Sequence, residues 1–120
     1  MMSDTYADCR VVHVSGRSDH TNAHRFHDEL TSHAREVPKG GGMVVDLSGL
    51  EFITSAGLRA LLVAKRTLSA AGAQLIVCGL KGVVREVFRI ASFDALLTVA
   101  DTTGQAVGRI SPAAAEAYPG

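Results

Sequence analysis

Apolar positions recur along the chain with two different periods. Val11, Val12 and Val14 follow Cys9-Arg10 and end at Ser15-Gly16, which predicts a short strand closed by glycine. Thr5-Tyr6-Ala7 ahead of it fits an edge strand. Ser18-Asp19 and Thr21-Asn22 offer helix N-caps, and behind them Phe26, Leu30, Ala34 and Val37 fall on one helical stripe that Pro38 stops. Lys39 to Gly42 is a glycine-rich turn. Met43-Val44-Val45-Asp46-Leu47 is an almost unbroken apolar run, the pattern of a central strand buried on both faces.

Ser48 to Thr54 reads as a loop with Phe52 and Ile53 tucked inward. Thr54 or Ser55 then caps a helix on which Leu58, Leu61, Leu62 and Leu68 share a face, ending at Ala71-Gly72. Leu75-Ile76-Val77-Cys78 is a second buried strand, closed by Gly79. Val83, Val87, Ile90 and Ala91 are expected to face inward on a third helix. Leu97-Thr98-Val99 makes a short last strand, a weaker helix runs from Asp101 to about Ile110, and Ser111 to Gly120 is expected to fray as a flexible tail. Strands alternating with helices predict an α/β domain over residues 1–110. Its sheet is mostly parallel and four- to five-stranded, with about four helices.

Composition narrows the function. Twelve Lys+Arg balance twelve Asp+Glu, so there is no basic surplus for nucleic acid or an anionic membrane. Aromatic residues are 5% and Trp is absent, which leaves little for base-stacking platforms. No apolar run approaches the ~20 residues of a membrane span, and Met1 to Arg10 lacks the basic and apolar segments of a signal peptide. A cytoplasmic protein without membrane insertion is expected. Cys9 and Cys78 lack CxxC spacing and read as reduced, buried thiols, with a disulfide as the alternative.

Candidate chemistry is sparse. His20, His24 and His27 are spaced to share a helix face, yet His20 is expected to precede the helix and no carboxylate or cysteine is placed to complete a zinc site, so no metal is expected. Gly79-Leu80-Lys81-Gly82 joins a strand to a helix without the spacing of a phosphate loop. Ser55 is not in a GxSxG elbow, and the last histidine, His33, precedes it, so no catalytic residue and no cofactor are expected. The informative stretch is Val44 to Leu62, a buried strand, a loop and a helix whose start carries Ser55. A hydroxyl there can cap free backbone N–H groups. Ala56 and Gly57 leave the first turn uncluttered for a partner or a kinase. On that reading Gly57→Val weakens partner binding more than folding.

The motif Val44-Val45-Asp46-Leu47-Ser48 … Phe52-Ile53-Thr54-Ser55-Ala56-Gly57-Leu58 resembles the signature of STAS domains, in particular the bacterial anti-anti-sigma factors (anti-sigma factor antagonists). Val14 to Asp19 resembles the family's second strand and its Gly-x-x-Asp turn, Gly72 to Gly79 its next strand, and Val83 to Leu97 the helix that follows. The resemblance covers about residues 8–108. It implies a STAS-type single domain. It also implies a non-enzymatic partner switch that binds an anti-sigma factor serine kinase when unphosphorylated, so freeing a sigma factor for transcription. ATP and magnesium then belong to the kinase.

Carried over residue by residue, the phosphorylation site of the family is Ser55, with Thr54, in place of the family's Asp, as a second candidate. The resemblance further implies a metal-dependent serine phosphatase that reverses the modification. The implied contact surface is Ser18, Asp19, Thr54, Ser55, Ala56, Gly57, Leu58 and Arg59, with Arg66 as a further exposed charge. Two other readings stay open: a STAS accessory subunit of a lipid ABC transporter or a stress-signalling assembly, and a STAS domain that binds a small molecule.

Overall fold

The computed structural model describes all 120 residues. In chain order they form β1 (Met2–Tyr6), β2 (Cys9–Ser18), α1 (Ala23–Arg35), β3 (Gly42–Ile53), α2 (Ser55–Ala70), β4 (Gln74–Cys78), α3 (Gly82–Ile90), α4 (Phe93–Leu96), β5 (Thr98–Ala100), α5 (Thr103–Ile110) and α6 (Pro112–Ala117). The strands make one sheet in the order β1-β2-β3-β4-β5. β1 and β2 are an antiparallel hairpin and the other pairs are parallel. The expected α/β class and mostly parallel sheet are present, with six helices rather than about four.

Strand alternation sorts the apolar side chains into two layers. Val12, Val14, Met43, Val45, Leu47, Leu75 and Val77 face α1, α2 and α3 in the larger core. Cys9, Val11, Val44, Ile76 and Cys78 face the other way, onto Ala106, Val107 and Ile110 of α5 and Ala114 of α6. This is why residues 43–47 read as an unbroken apolar run: successive side chains feed opposite cores. Cys9 and Cys78 are free and buried, and burial pushes both thiols up to about 11.

Three expectations need correction. Residues 48–53 are not a loop but the second half of β3, which pairs with β2 as far as Ser18↔Ile53. The pairing shifts register between His13/Ser15 and again between Gly16/Arg17, and these irregularities break the alternation that would have marked a strand. Ile53 is buried as expected, whereas Phe52 is half-buried on the opposite face.

On α3 the buried residues are Val84 and Phe88, while Val83 is 53% and Ile90 73% exposed and Ala91 is exposed too. The apolar arc of this helix is broad enough that its period allows either edge to face the sheet. The edge-on contact of Phe88 with Phe93, 6.1 Å between ring centroids, accompanies the edge that is buried.

Residues 111–120, expected to fray, include α6. Ser111 Oγ accepts the Ala114 N–H at 3.0 Å and donates to Asp8 Oδ1 at 2.6 Å, and Pro112 occupies the first turn. Ala114 is fully buried, and Tyr118 meets Tyr6 edge-on at 5.1 Å.

Candidate functional site

β2 and β3 end side by side at the carboxyl edge of the parallel strands, and α2 begins there. The Thr54 N–H donates to the Ser18 carbonyl at 3.0 Å, fixing the end of β3 against the end of β2. Thr54 is extended (φ −99°, ψ 173°) and is the N-cap residue of α2. Its carbonyl accepts the Leu58 N–H at 3.0 Å. Its hydroxyl is buried, makes no capping bond and has no hydrogen-bond partner. Ser55 is therefore the first helical residue, and its side chain is exposed. No acidic residue lies in the first turn of α2, so no carboxylate of the helix itself meets its free N–H groups.

Small residues let α2 come down onto the sheet. Gly57 is buried: a Cβ there would stand 2.5 Å from Ser18 Oγ and 2.7 Å from Ile53 Cγ1. Ser18 itself has no exposed surface, and its hydroxyl has no partner. Leu58 points into the larger core, and Arg59, one turn after Ser55, is exposed.

Two flanking features frame this edge. On one, the Arg17 guanidinium lies over the Phe52 ring, 5.0 Å from its centroid, an exposed cation on a half-buried aromatic. Beyond it the turn to α1 is held by Asp19, which accepts from the Thr21 hydroxyl and from the Thr21 N–H at 2.9 Å. Thr21 is what holds the Asp19 carboxyl below its ordinary range. On the other, Asp46 on β3 accepts from His13 Nδ1 at 2.9 Å and from the Ser48 N–H at 2.9 Å, at the point where β3 departs from regular pairing. Burial pushes the Asp46 carboxyl up, but the donors from Ser48 and His13 outweigh it and the net shift is downward. Gly79 (φ +73°) packs on this carboxylate: a Cβ there would stand 2.8 Å from Asp46 Oδ1, so the turn after β4 also depends on it.

Comparison with known proteins decides the family. The model of the STAS domain matches residues 1–106. This chain belongs to the STAS domain family. BtrV of Bordetella bronchiseptica, provisionally named an anti-sigma factor antagonist, is 38% identical over 93 residues, 77% of this chain and 78% of that protein. An anti-sigma factor antagonist from Mycobacterium paratuberculosis shares the fold with a TM-score of 0.76 at 22% identity, with 91% of each chain covered. Bacillus SpoIIAA in its phosphorylated form gives 0.65 at 18% identity, covering 92% of this chain and 98% of that one.

On this STAS scaffold the residues singled out in the sequence divide into two groups. Ser55 and Arg59 are exposed, and Asp19, Thr54 and Ala56 are partly so. Ser18, Gly57 and Leu58 are buried and offer no side-chain surface to a partner. They shape the site from beneath. The expectation that Gly57→Val weakens partner binding more than folding is corrected, because a side chain at this position would collide with Ser18 and Ile53.

The histidines also find their places. His20 precedes α1, so it does not share that helix with His24 and His27. His13 serves Asp46, and His33 accepts from Arg10 Nε at 2.9 Å, with burial and the Arg10 charge lowering its pKa. Sequence reading missed the Arg17–Phe52 pair. Its only signal is cross-strand register, which the irregular pairing of β2 and β3 conceals. No helix is long and apolar enough to cross a membrane.

Proposed function

We propose that this STAS domain is an anti-sigma factor antagonist that acts as a phosphorylation-controlled binding partner rather than as an enzyme. Unphosphorylated, it binds an anti-sigma factor serine kinase through the edge around Ser55 and so frees a sigma factor. The kinase then directs Ser55 Oγ at the γ-phosphorus of its ATP. The new O–P bond forms as the bond to ADP breaks, and the hydroxyl proton passes to a base of the kinase. The modified edge lets go of the kinase, and a metal-dependent serine phosphatase returns Ser55 to its free form. The switch operates in the cytoplasm, where its kinase finds ATP.

The observation that carries this reading is the contrast between two adjacent hydroxyls. Ser55 is exposed at the start of α2, whereas Thr54 Oγ1 is buried, out of reach of an incoming phosphoryl group. The likeness to BtrV along most of the chain supports it. So does the phosphorylated form of SpoIIAA, which has the same fold.

The test is phosphopeptide mapping after incubation with the cognate kinase and ATP. Phosphate is expected on Ser55 alone. Thr54→Ala keeps phosphorylation, and Ser55→Ala binds the kinase but is not released by ATP. Phosphate on Thr54 alone, or release without any phosphate, overturns the assignment.

A further inference from the structure

We infer that Arg59 is the built-in counter-ion for a phosphoryl group on Ser55. The inference rests on the reading that Ser55 is the modified residue. Both residues lie on α2, four positions apart and both exposed, so their side chains are neighbours one turn apart on the same face. The order, anion towards the N-terminus and cation four residues on, is the favourable one for a helical ion pair. No carboxylate competes from within the helix, because residues 55–70 contain Arg59, Lys65 and Arg66 and no acid.

The three cations are not equivalent. Lys65 Nζ donates to the Leu96 carbonyl at 2.6 Å. Arg59 makes neither an ion pair nor a side-chain hydrogen bond, and it stands close to the positive end of the helix dipole, where a cation is poorly placed unless an anion joins it. A phosphate on Ser55 is that anion. Pairing draws the guanidinium onto the phosphate, so modification adds a dianion to the edge and withdraws a free cation from it in one step. Two charged side chains flanking this edge are committed elsewhere: Arg17 lies over Phe52 and Asp19 is held by Thr21.

Phosphoserine placed at position 55 by genetic encoding, with no kinase involved, tests this by a ³¹P NMR pH titration of the full chain. An adjacent guanidinium favours the dianion, so Arg59→Gln should raise the second phosphate ionisation midpoint by about 0.3 pH unit or more. Arg59→Lys should restore most of the wild-type midpoint. Arg66→Gln, about 16 Å from Ser55 along the helix axis and beyond the screening length, should leave it unchanged. Equal midpoints in wild type and Arg59→Gln, or an Arg59→Lys protein that behaves like Arg59→Gln, overturn the inference. Its failure is separable from failure of the functional reading. If the kinase maps to Ser55 but the titration is flat, only the counter-ion is lost. If the titration shifts but no kinase modifies Ser55, only the switch is lost.

Discussion

A methyl group on Gly57 would meet a hydroxyl on one side and a branched aliphatic chain on the other, with Ser18 Oγ and Ile53 Cγ1 both inside normal contact distance. The Ser18 hydroxyl can rotate away, but Ile53 belongs to the core and cannot. Gly57→Ala is therefore expected to cost about 1–3 kcal/mol, a fall of several degrees in the thermal midpoint. Adding Ser18→Ala should recover part of the loss, since it removes the nearest atom together with a buried hydroxyl that has no partner. A Gly57→Ala protein melting with the wild type would show that α2 is not seated this tightly.

Asp46 makes a second prediction at the same scale. Its folded-state pKa is lowered, so its bonds to Ser48 and His13 contribute stability above the unfolded pKa of about 3.9 and lose it as pH falls through the lower folded value. Urea midpoints measured from pH 7 down to pH 3 should show Asp46→Asn less stable at the upper end, with the gap to wild type narrowing below about pH 4. A gap independent of pH would mean that the carboxylate charge plays no part.

Among the elements, α6 is the one whose contribution its composition conceals. It is six residues long and rich in alanine, and in isolation a helix this short does not form in water. Its stability comes from outside: the Ser111–Asp8 bond to the β1–β2 turn, the burial of Ala114 beside α5, and the Tyr6–Tyr118 contact. Removing residues 111–120 uncovers that side of the smaller core and should cost about 2–3 kcal/mol. Thermal unfolding of the shortened chain measures it, and an unchanged midpoint would return this segment to the status of a tail.

α3 and the end of β3 make a related point. Both were visible as apolar residues, but neither the facing edge of the helix nor the full length of the strand follows from spacing. The first depends on which side the sheet lies, and the second on a partner strand that tolerates the irregular pairing.

At the scale of the molecule, the proposed switch requires a fold that is indifferent to the charge it gains. The start of α2 has no acidic side chain and no side-chain cap, so a negative group on Ser55 interacts favourably with the helix dipole, by about 0.3–1 kcal/mol. Ser55→Asp should consequently fold normally, with a thermal midpoint equal to or slightly above that of the wild type. It should bind the kinase at least tenfold more weakly, because the partner surface meets a negative charge where it met a neutral hydroxyl. A large fall in midpoint would instead place Ser55 in the packing.

The sequence alone was enough for the alternation of strands and helices, the doubly buried central strand, the helix start at Thr54-Ser55 and the STAS signature around it. All of these are local, set by periodicity, capping residues and glycine within a few positions of one another. Which of the motif residues are surface and which are support was decided only in three dimensions. Ser18 and Gly57 were read as contact residues, yet they face each other beneath the helix. Thr54 and Ser55 are chemically alike and adjacent, but one hydroxyl is closed off and the other is open. Exposure depends on what the rest of the chain packs against a residue. Here that is set by the pairing of β2 with β3 and the descent of α2 onto them, which join residues more than thirty positions apart.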